Sequence, residues 1–319
     1  MMIEQIKIFR LSILLVTYDH EQHIRKALTG LFRQIIEGPI ELLIADDGSS
    51  DNTLEIIREC DGKDPRFVFK YIGGTTNVGI TKNYQRGFDA CAGEYVAVLE
   101  GDDYWVSPFK LQRQRDFLDF HWECDLCSVN YFVYEEGRCQ FTPRVPIGYG
   151  HRFIGARDLI QDNLVGNFST CMYRRAALES LPTQLFELRS YDWIVNICVA
   201  RKSLIGFLEE PLSVYRLHSA GAWTQTPKIE KLKVQLDLIP AYDELTGHVF
   251  HEEFAKLANR IREVISTTRI EKAVAYVAQP VAKALPRIMD YTPPILLAIG
   301  RLMLPPKLKR FLARKFLRS

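Results

Sequence analysis

At 319 residues, 47% apolar and 25% charged, the chain is long enough for one large α/β domain with an appendage and has the composition of a globular protein. A net charge of +2 gives no global attraction to nucleic acid, so no nucleic-acid partner is expected. No stretch reaches the roughly 18 apolar residues of a membrane-spanning helix; residues 13–16 are too short an apolar run for a signal peptide; and seven cysteines without regular spacing point to free thiols in a reducing, cytoplasmic compartment.

Residues 11–17 read as a buried first strand, followed by a loop at Tyr18, Asp19 and His20. Ile24, Ala27, Leu28, Leu31, Phe32 and Ile35 fall on one face of a helix spanning 21–35. A second strand over 40–45 runs into Asp46-Asp47-Gly48-Ser49-Ser50-Asp51, which reads as a turn and a helix cap for 53–60. A third strand covers 67–72, a loop 73–79, a third helix 80–91 and a fourth strand 95–99. Ser107 and Pro108 have the look of the N-cap and first residue of the next helix. Further strands are expected over 124–134, 138–145 and 168–173, with a helix over 156–162. Ser190-Tyr191-Asp192-Trp193 opens an apolar helix ending near Ala200, and 204–208 and 212–217 read as two short strands separated by Pro211. Beyond Pro227 the pattern is helical and basic.

Strands alternating with helices imply right-handed crossovers and a mainly parallel sheet, in which ligands sit beyond the carboxyl ends of the strands. The polar segments after the first four strands all fall on that edge: Thr17 and Tyr18, Asp46 and Asp47, Asn77 and Gly79, then Glu100, Asp102 and Asp103. The last three crowd one turn, with Gly101 letting the chain bend. Carboxylates packed this closely repel one another unless a cation sits among them, and a hard divalent ion, Mg²⁺ or Mn²⁺, takes oxygen ligands while leaving room for phosphate. No GxGxxG follows the first strand, which argues against a dinucleotide site. Cys124 and Cys127 form a single CxxC without a second pair, a poor zinc site, and the pairs His20/His23 and His248/His251 read as surface histidines because no partner is evident.

The stretches 12–18, 44–53, 77–79 with Asn83, and 93–103 resemble the family-2 glycosyltransferases, in order and at the family's spacing, over about residues 10–220. The resemblance implies a GT-A fold: an α/β, Rossmann-like, mainly parallel central sheet flanked by helices. It assigns 1–225 to the catalytic domain and leaves 226–319 as a helical, basic C-terminal extension. It also implies an inverting transfer from a nucleotide-diphosphate sugar, UDP-linked by expectation, to a glycan or lipid-linked acceptor in surface polysaccharide synthesis. Within it Asp102 is the expected metal ligand. Glu100 stands where the family usually has Asp, and Asp103 supports the site.

A nucleotide sugar needs partners for its base, positive charge at its diphosphate and a base for the acceptor hydroxyl. Asp47 is placed to accept from a uracil-type N–H, with Thr17 and Tyr18 bordering the ring. Asn77, Gly79 and Lys82 lie on the donor side, and His218, in the loop after the last strand, is expected to contact phosphate or metal. Asn167 to Thr170 are placed on the acceptor side. Asp192 is the expected general base, although Tyr191 stands where the family often has an acidic residue. A sugar-phosphate nucleotidyltransferase would carry a Gly-rich, basic loop after the first strand, which 16–19 lacks, and an inactive sugar-nucleotide-binding module would not need both Asp102 and Asp192.

From Arg301 to Ser319 there are seven Lys or Arg and no acidic residue. Leu308, Phe311, Leu312 and Phe316 recur among them at helical spacing, so 286–319 reads as a peripheral contact for an anionic membrane face.

Overall fold

A computed structural model describes residues 9–189, 192–219, 221 and 226–268. The first half is an alternation of strands and helices: β1 (Leu11–Thr17), α1 (Ile24–Phe32), β2 (Ile40–Asp46), α2 (Thr53–Arg58), β3 (Phe67–Ile72), α3 (Ile80–Ala90) and β4 (Tyr95–Glu100). The second half holds β5 (Tyr104–Trp105), α4 (Lys110–Phe120), β6 (Cys124–Glu135), β7 (Gln140–Pro143), β8 (His151–Ile154), α5 (Ala156–Gln161), β9 (Met172–Arg174), α6 (Arg175–Glu179), α7 (Asp192–Val199), β10 (Leu204–Leu217) and α8 (Lys228–Leu245). Residues 251–261 are helical as well. One compact unit runs from Met1 to Ile261. The second runs from Arg262 to Ser319, and its described part, 262–268, is helical.

All strands join one sheet in the order β3-β2-β1-β4-β9-β6-β10-β5, with β7 on β6 and β8 on β10. The pairs β2–β3, β1–β2 and β1–β4 are parallel, as is β6–β10, while β9 runs antiparallel between β4 and β6. Every residue of β1 and β2 is buried, because helices cover both faces of a parallel sheet and leave no solvent side. Ile13, Leu15, Leu42, Ile44, Ala97 and Leu99 form one layer of the core with Ile24, Leu28 and Leu31 of α1 and Leu111 and Leu118 of α4. Because β1, β2, β3 and β4 run the same way, their carboxyl ends come to one edge. That placement makes the loops after them neighbours.

Several boundaries differ from expectation for identifiable reasons. Residues 21–23 precede α1 as a turn, closed by the N–H groups of His23 and Ile24 on the His20 carbonyl (both 2.9 Å). Ser107 and Pro108 do not open α4, which starts at Lys110 behind Phe109 without a side-chain cap from its own N-cap residue. Gln34 performs that service from a distance: its Oε1 accepts the Leu111 N–H (3.1 Å) and its Nε2 donates to the Ser107 carbonyl (2.8 Å). Residues 168–170 form a 3-10 turn rather than a strand, since the Thr170 hydroxyl bonds back to the Asn167 carbonyl (2.8 Å) and competes with strand pairing. The two strands expected around Pro211 are one, β10, with register shifts on both sides of the proline that excuse its missing N–H from the ladder. Cys124 and Cys127 are buried on β6, and all seven cysteines are free.

Candidate active site

The edge is built first by short polar ties between loops. Thr17 is buried; its hydroxyl donates to Asp46 Oδ1 (2.8 Å) and its carbonyl accepts the Asp47 N–H (2.9 Å), joining the ends of β1 and β2. Asp46 also accepts the N–H groups of Gly48 (3.1 Å) and Ser49 (2.8 Å), which fixes the turn after β2. Asp19, at φ 51°, accepts the Ser50 N–H (2.7 Å), so the loop after β1 is pinned to the loop after β2. Tyr18 stays exposed beside these ties.

Asp47 is buried, and its two oxygens accept the N–H groups of Val78 (2.9 Å) and Gly79 (3.0 Å). Gly79 sits at φ +88°, a conformation that disfavours a side chain and aims its N–H at the carboxylate. Asn77 is exposed, with its Oδ1 on the same Gly79 N–H (3.0 Å). Arg86, which the sequence reading does not single out, lies 3.6 Å from Asp47 and donates to Asn83 Oδ1 (2.7 Å) and to the Asp46 carbonyl. Asn83 in turn donates to the Ala45 carbonyl (2.9 Å), so α3 is bolted to the end of β2 by two polar side chains. Lys82 is half-exposed and paired with Glu187.

The acidic turn after β4 collects more partners than its sequence shows. Asp102 Oδ2 lies 3.1 Å from His218 Nε2 and 3.9 Å from His20 Nε2. His20 is therefore a member of the site and not a surface histidine. Its Nδ1 is buried without a hydrogen-bond partner. A side chain at position 101 would meet that Nδ1 at 2.7 Å and Thr17 Cγ2 at 2.8 Å, which is why a glycine bends the turn. Glu100 accepts the Tyr84 hydroxyl (2.7 Å). Asp103 is fully buried. Its Oδ1 accepts the Arg216 N–H (2.9 Å) and its Oδ2 has no hydrogen-bond partner. Arg216 also donates from Nε to the Asp102 carbonyl (2.9 Å), tying β10 to the turn.

The three carboxyls are driven apart in acidity. Burial, with the charge of Asp102, raises Glu100 to about 8. Burial and the charges of Asp102 and Glu100 push Asp103 well up. Burial also pushes Asp102 upward, but the hydrogen bond from His218 and the nearby imidazoles outweigh it and hold Asp102 below its ordinary value. One carboxylate is thus kept charged between two imidazoles, in a pocket with too much negative potential for its neighbours.

Asp192 is the first residue of α7, and its Oδ2 accepts from Asn163 Nδ2 (3.3 Å). Burial raises it to about 6, against the Asn163 hydrogen bond. Its charge is felt at Glu100, Tyr84 and Tyr215, which puts it within electrostatic reach of the acidic turn. Ser190 and Tyr191 lie outside the described residues. Asn167, expected near the acceptor, is buried with neither amide atom hydrogen-bonded. His20, Arg86, Arg216 and Asn163 escape sequence reasoning because each joins the site across a long chain separation.

The family model for glycosyl transferase family 2 matches residues 12–181, more than half of the chain. An uncharacterized protein of Mycobacterium tuberculosis is 33% identical over 213 residues, covering 67% of this chain and 60% of that one. The chain therefore spans about 60% of the length of the curated relatives it matches first. Among solved structures, S. aureus TarS 1–349 in complex with UDP-GlcNAc superposes with a TM-score of 0.57 at 19% identity, covering 77% of this chain and 73% of that one. The mannosyltransferase PcManGT of Pyrobaculum calidifontis, in complex with GDP-Man and Mn²⁺, gives 0.55 at 15% identity, covering 86% and 80%. At such identities the two structures speak for the fold, and the fold agrees with the matched motifs: the chain belongs to glycosyl transferase family 2.

Proposed function

We propose that the chain transfers a sugar, with inversion, from a UDP-linked donor to a hydroxyl of a glycan or lipid-linked acceptor in surface polysaccharide synthesis. The observation that carries this reading is a pair of aspartates of opposite character whose charges both reach Tyr84 and Tyr215: Asp102 held charged between imidazoles, and Asp192 raised to about 6. Environments that push two carboxyls apart in this way assign one to charge and the other to proton transfer.

In this reading Asp192 accepts the acceptor's hydroxyl proton as its oxygen bonds to the anomeric carbon, and the bond from that carbon to the diphosphate oxygen breaks. A base near pH 6 is ionised at neutral pH and still basic enough to share a proton in the transition state. The Asp102 carboxylate, with His218, would hold the divalent cation. The unpartnered Asp103 Oδ2 and the strongly raised Glu100 mark a pocket that suits one. A carboxylate with imidazole favours Mn²⁺ over Mg²⁺, which prefers oxygen alone. When bound, such an ion neutralises charge on a departing diphosphate. Asp47 keeps acceptor capacity beyond its two amide contacts for a base N–H, with Thr17 and Tyr18 beside it. Asn77 and Gly79 border the donor, and Lys82 would have to leave Glu187 to reach a phosphate. Residues 1–225 serve as the catalytic domain and 226–319 as an extension.

The solved neighbours bind UDP-GlcNAc or GDP-Man, so calorimetry with UDP and GDP, each with Mn²⁺ and with chelator, tests the proposal. UDP is expected to bind at least tenfold more tightly than GDP, and at least tenfold more tightly with Mn²⁺ than with chelator. Equal UDP affinity with and without the ion would remove metal from the account; preference for GDP would overturn the donor.

A further inference from the structure

We propose that Asp243, His248 and His251 form a second divalent-cation site, suited to Zn²⁺, that shares no ligand with the donor edge. Among the described residues these three are a group of His, Cys, Asp or Glu whose ligand atoms all lie within 4.8 Å of one another. The HxxH spacing alone reads as a surface pair; the fold supplies the carboxylate that the spacing lacks.

The chain reverses sharply to make the cluster. α8 ends at Leu245, the Thr246 hydroxyl bonds back to the Asp243 carbonyl (2.9 Å), and Gly247 and His248 follow at φ 64° and 59°. A left-handed histidine is uncommon. Here it brings the His248 N–H onto the Asp243 carbonyl (2.9 Å) and its ring onto the Asp243 side chain. His248 Nδ1 (3.0 Å) and His251 Nδ1 (2.7 Å) then converge on the same oxygen, Asp243 Oδ2.

Hydrogen bonding accounts for only half of this carboxylate. Asp243 is 6% exposed, and its other oxygen, Oδ1, is buried without any partner. A cation lying between the carboxylate and the two Nδ1 atoms would use both oxygens and take the place of the two ring protons, with each imidazole carrying its proton on Nε2. Two imidazole nitrogens and a carboxylate are the donor set of zinc, at about 2.0–2.2 Å per bond, and not of Mg²⁺ or Ca²⁺. The observed separations are already close to the spread of ligand atoms around such an ion. Both imidazoles are mostly exposed, 65% and 72%, which gives the ion a route in and leaves a position for water.

The location gives the site a consequence. Tyr242, beside Asp243, packs edge-on against Trp193 at 5.9 Å and donates to the Arg189 carbonyl (2.8 Å), and Trp193 also packs against Phe254 at 6.3 Å. Trp193 follows Asp192 in α7. A cation joining the end of α8 to the turn at 248–251 would brace the aromatic layer on which α7 rests.

The test uses chelator-stripped full-length chain titrated with Zn²⁺ by calorimetry and with Co²⁺ by visible absorption. The same titrations are run on Asp102→Asn, which removes the donor-edge carboxylate. Asp102→Asn is expected to keep one Zn²⁺ per chain, bound with the affinity of one site of the parent, whose donor edge can hold another. His251→Ala, at an exposed position, should weaken that binding at least tenfold and remove the Co²⁺ bands, and His251→Cys, which returns a zinc ligand, should recover it. Unchanged Zn²⁺ affinity in His251→Ala, or loss of all Zn²⁺ binding in Asp102→Asn alone, overturns the site. Because the proposal stands on Zn²⁺ stoichiometry and spectra, failure of the glycosyltransferase reading leaves it intact.

Discussion

At the first position of α7 the Asp192 carboxylate keeps one side-chain hydrogen bond, from Asn163, and burial raises it to about 6 even though a helix N-terminus favours a carboxylate. Two outcomes follow for transfer. Asp192→Asn keeps the shape and removes the proton acceptor, so turnover should fall about 10²–10⁴-fold while UDP affinity stays within a few-fold. Turnover near that of the parent would remove Asp192 from the chemistry. The pH dependence has a definite sign: the base acts when deprotonated, so the rate should be level above about pH 6 and fall tenfold per unit below it. An initial-rate profile that rises on acidification would contradict the assignment. At this scale the sequence shows which carboxyls exist but not their states, because the states depend on burial and on His218 and Asn163 across the fold. Asp47 makes the same point. Its position at the end of β2 is readable from the motif, whereas its grip on Val78 and Gly79 depends on where the next loop comes to rest.

Elements were legible where a buried apolar run is bounded by polar turns. Residues 11–17 and 95–99 match β1 and β4 to within a residue, since a strand covered on both faces leaves an unbroken apolar signature, and 67–72 matches β3, an edge strand with only Phe67 buried, through its β-forming Phe, Val, Tyr and Ile. The start of α4 was not, because its cap is Gln34 and no local rule names a residue that far away. α4 also carries Lys110, fully buried, with its Nζ 4.3 Å from the centre of the Trp105 ring and donating to Gln114 Oε1 (2.7 Å). Burial lowers this lysine to about 7. Unfolded, it would hold its proton to about pH 10.5, so between those values the unfolded chain binds more protons and stability rises with pH. The contribution is fully present above the unfolded value and is lost as pH falls through 7. Lys110→Met should therefore flatten the stability profile by roughly 1 kcal/mol per pH unit between pH 7 and 10 relative to the parent. Urea unfolding across that range measures it, and parallel profiles would mean that the ammonium keeps its proton in the fold.

At the scale of the molecule, parallel β1, β2, β3 and β4 gather four loops at one sheet edge, and β10 brings Arg216 and His218 to the same place from the far end of the chain. The first four could be read in order from the motifs. The fifth came from the family resemblance, which placed His218 after the last strand, and not from local pattern, because β10 reaches the site through pairing with β5 and β6. The opposite limit applies at the C-terminus, where residues 286–319 lie outside the described residues and the sequence alone speaks. No helix among the described residues is long and apolar enough to cross a membrane. Leu308, Phe311, Leu312 and Phe316 at helical spacing, with Lys309, Arg310, Arg314, Lys315 and Arg318 among them, make the pattern of a helix lying in an anionic interface. Each basic side chain near such a surface is worth about 1 kcal/mol, and the attraction fades once salt shortens the Debye length. Full-length protein should float with vesicles containing phosphatidylglycerol at low salt and not with phosphatidylcholine vesicles, and should be released as salt rises. Protein lacking 286–319 should remain in the soluble fraction. Equal flotation with and without the segment would place the membrane contact elsewhere, and no flotation of the full chain at low salt would make the segment a packing element and remove the argument for a lipid-linked acceptor.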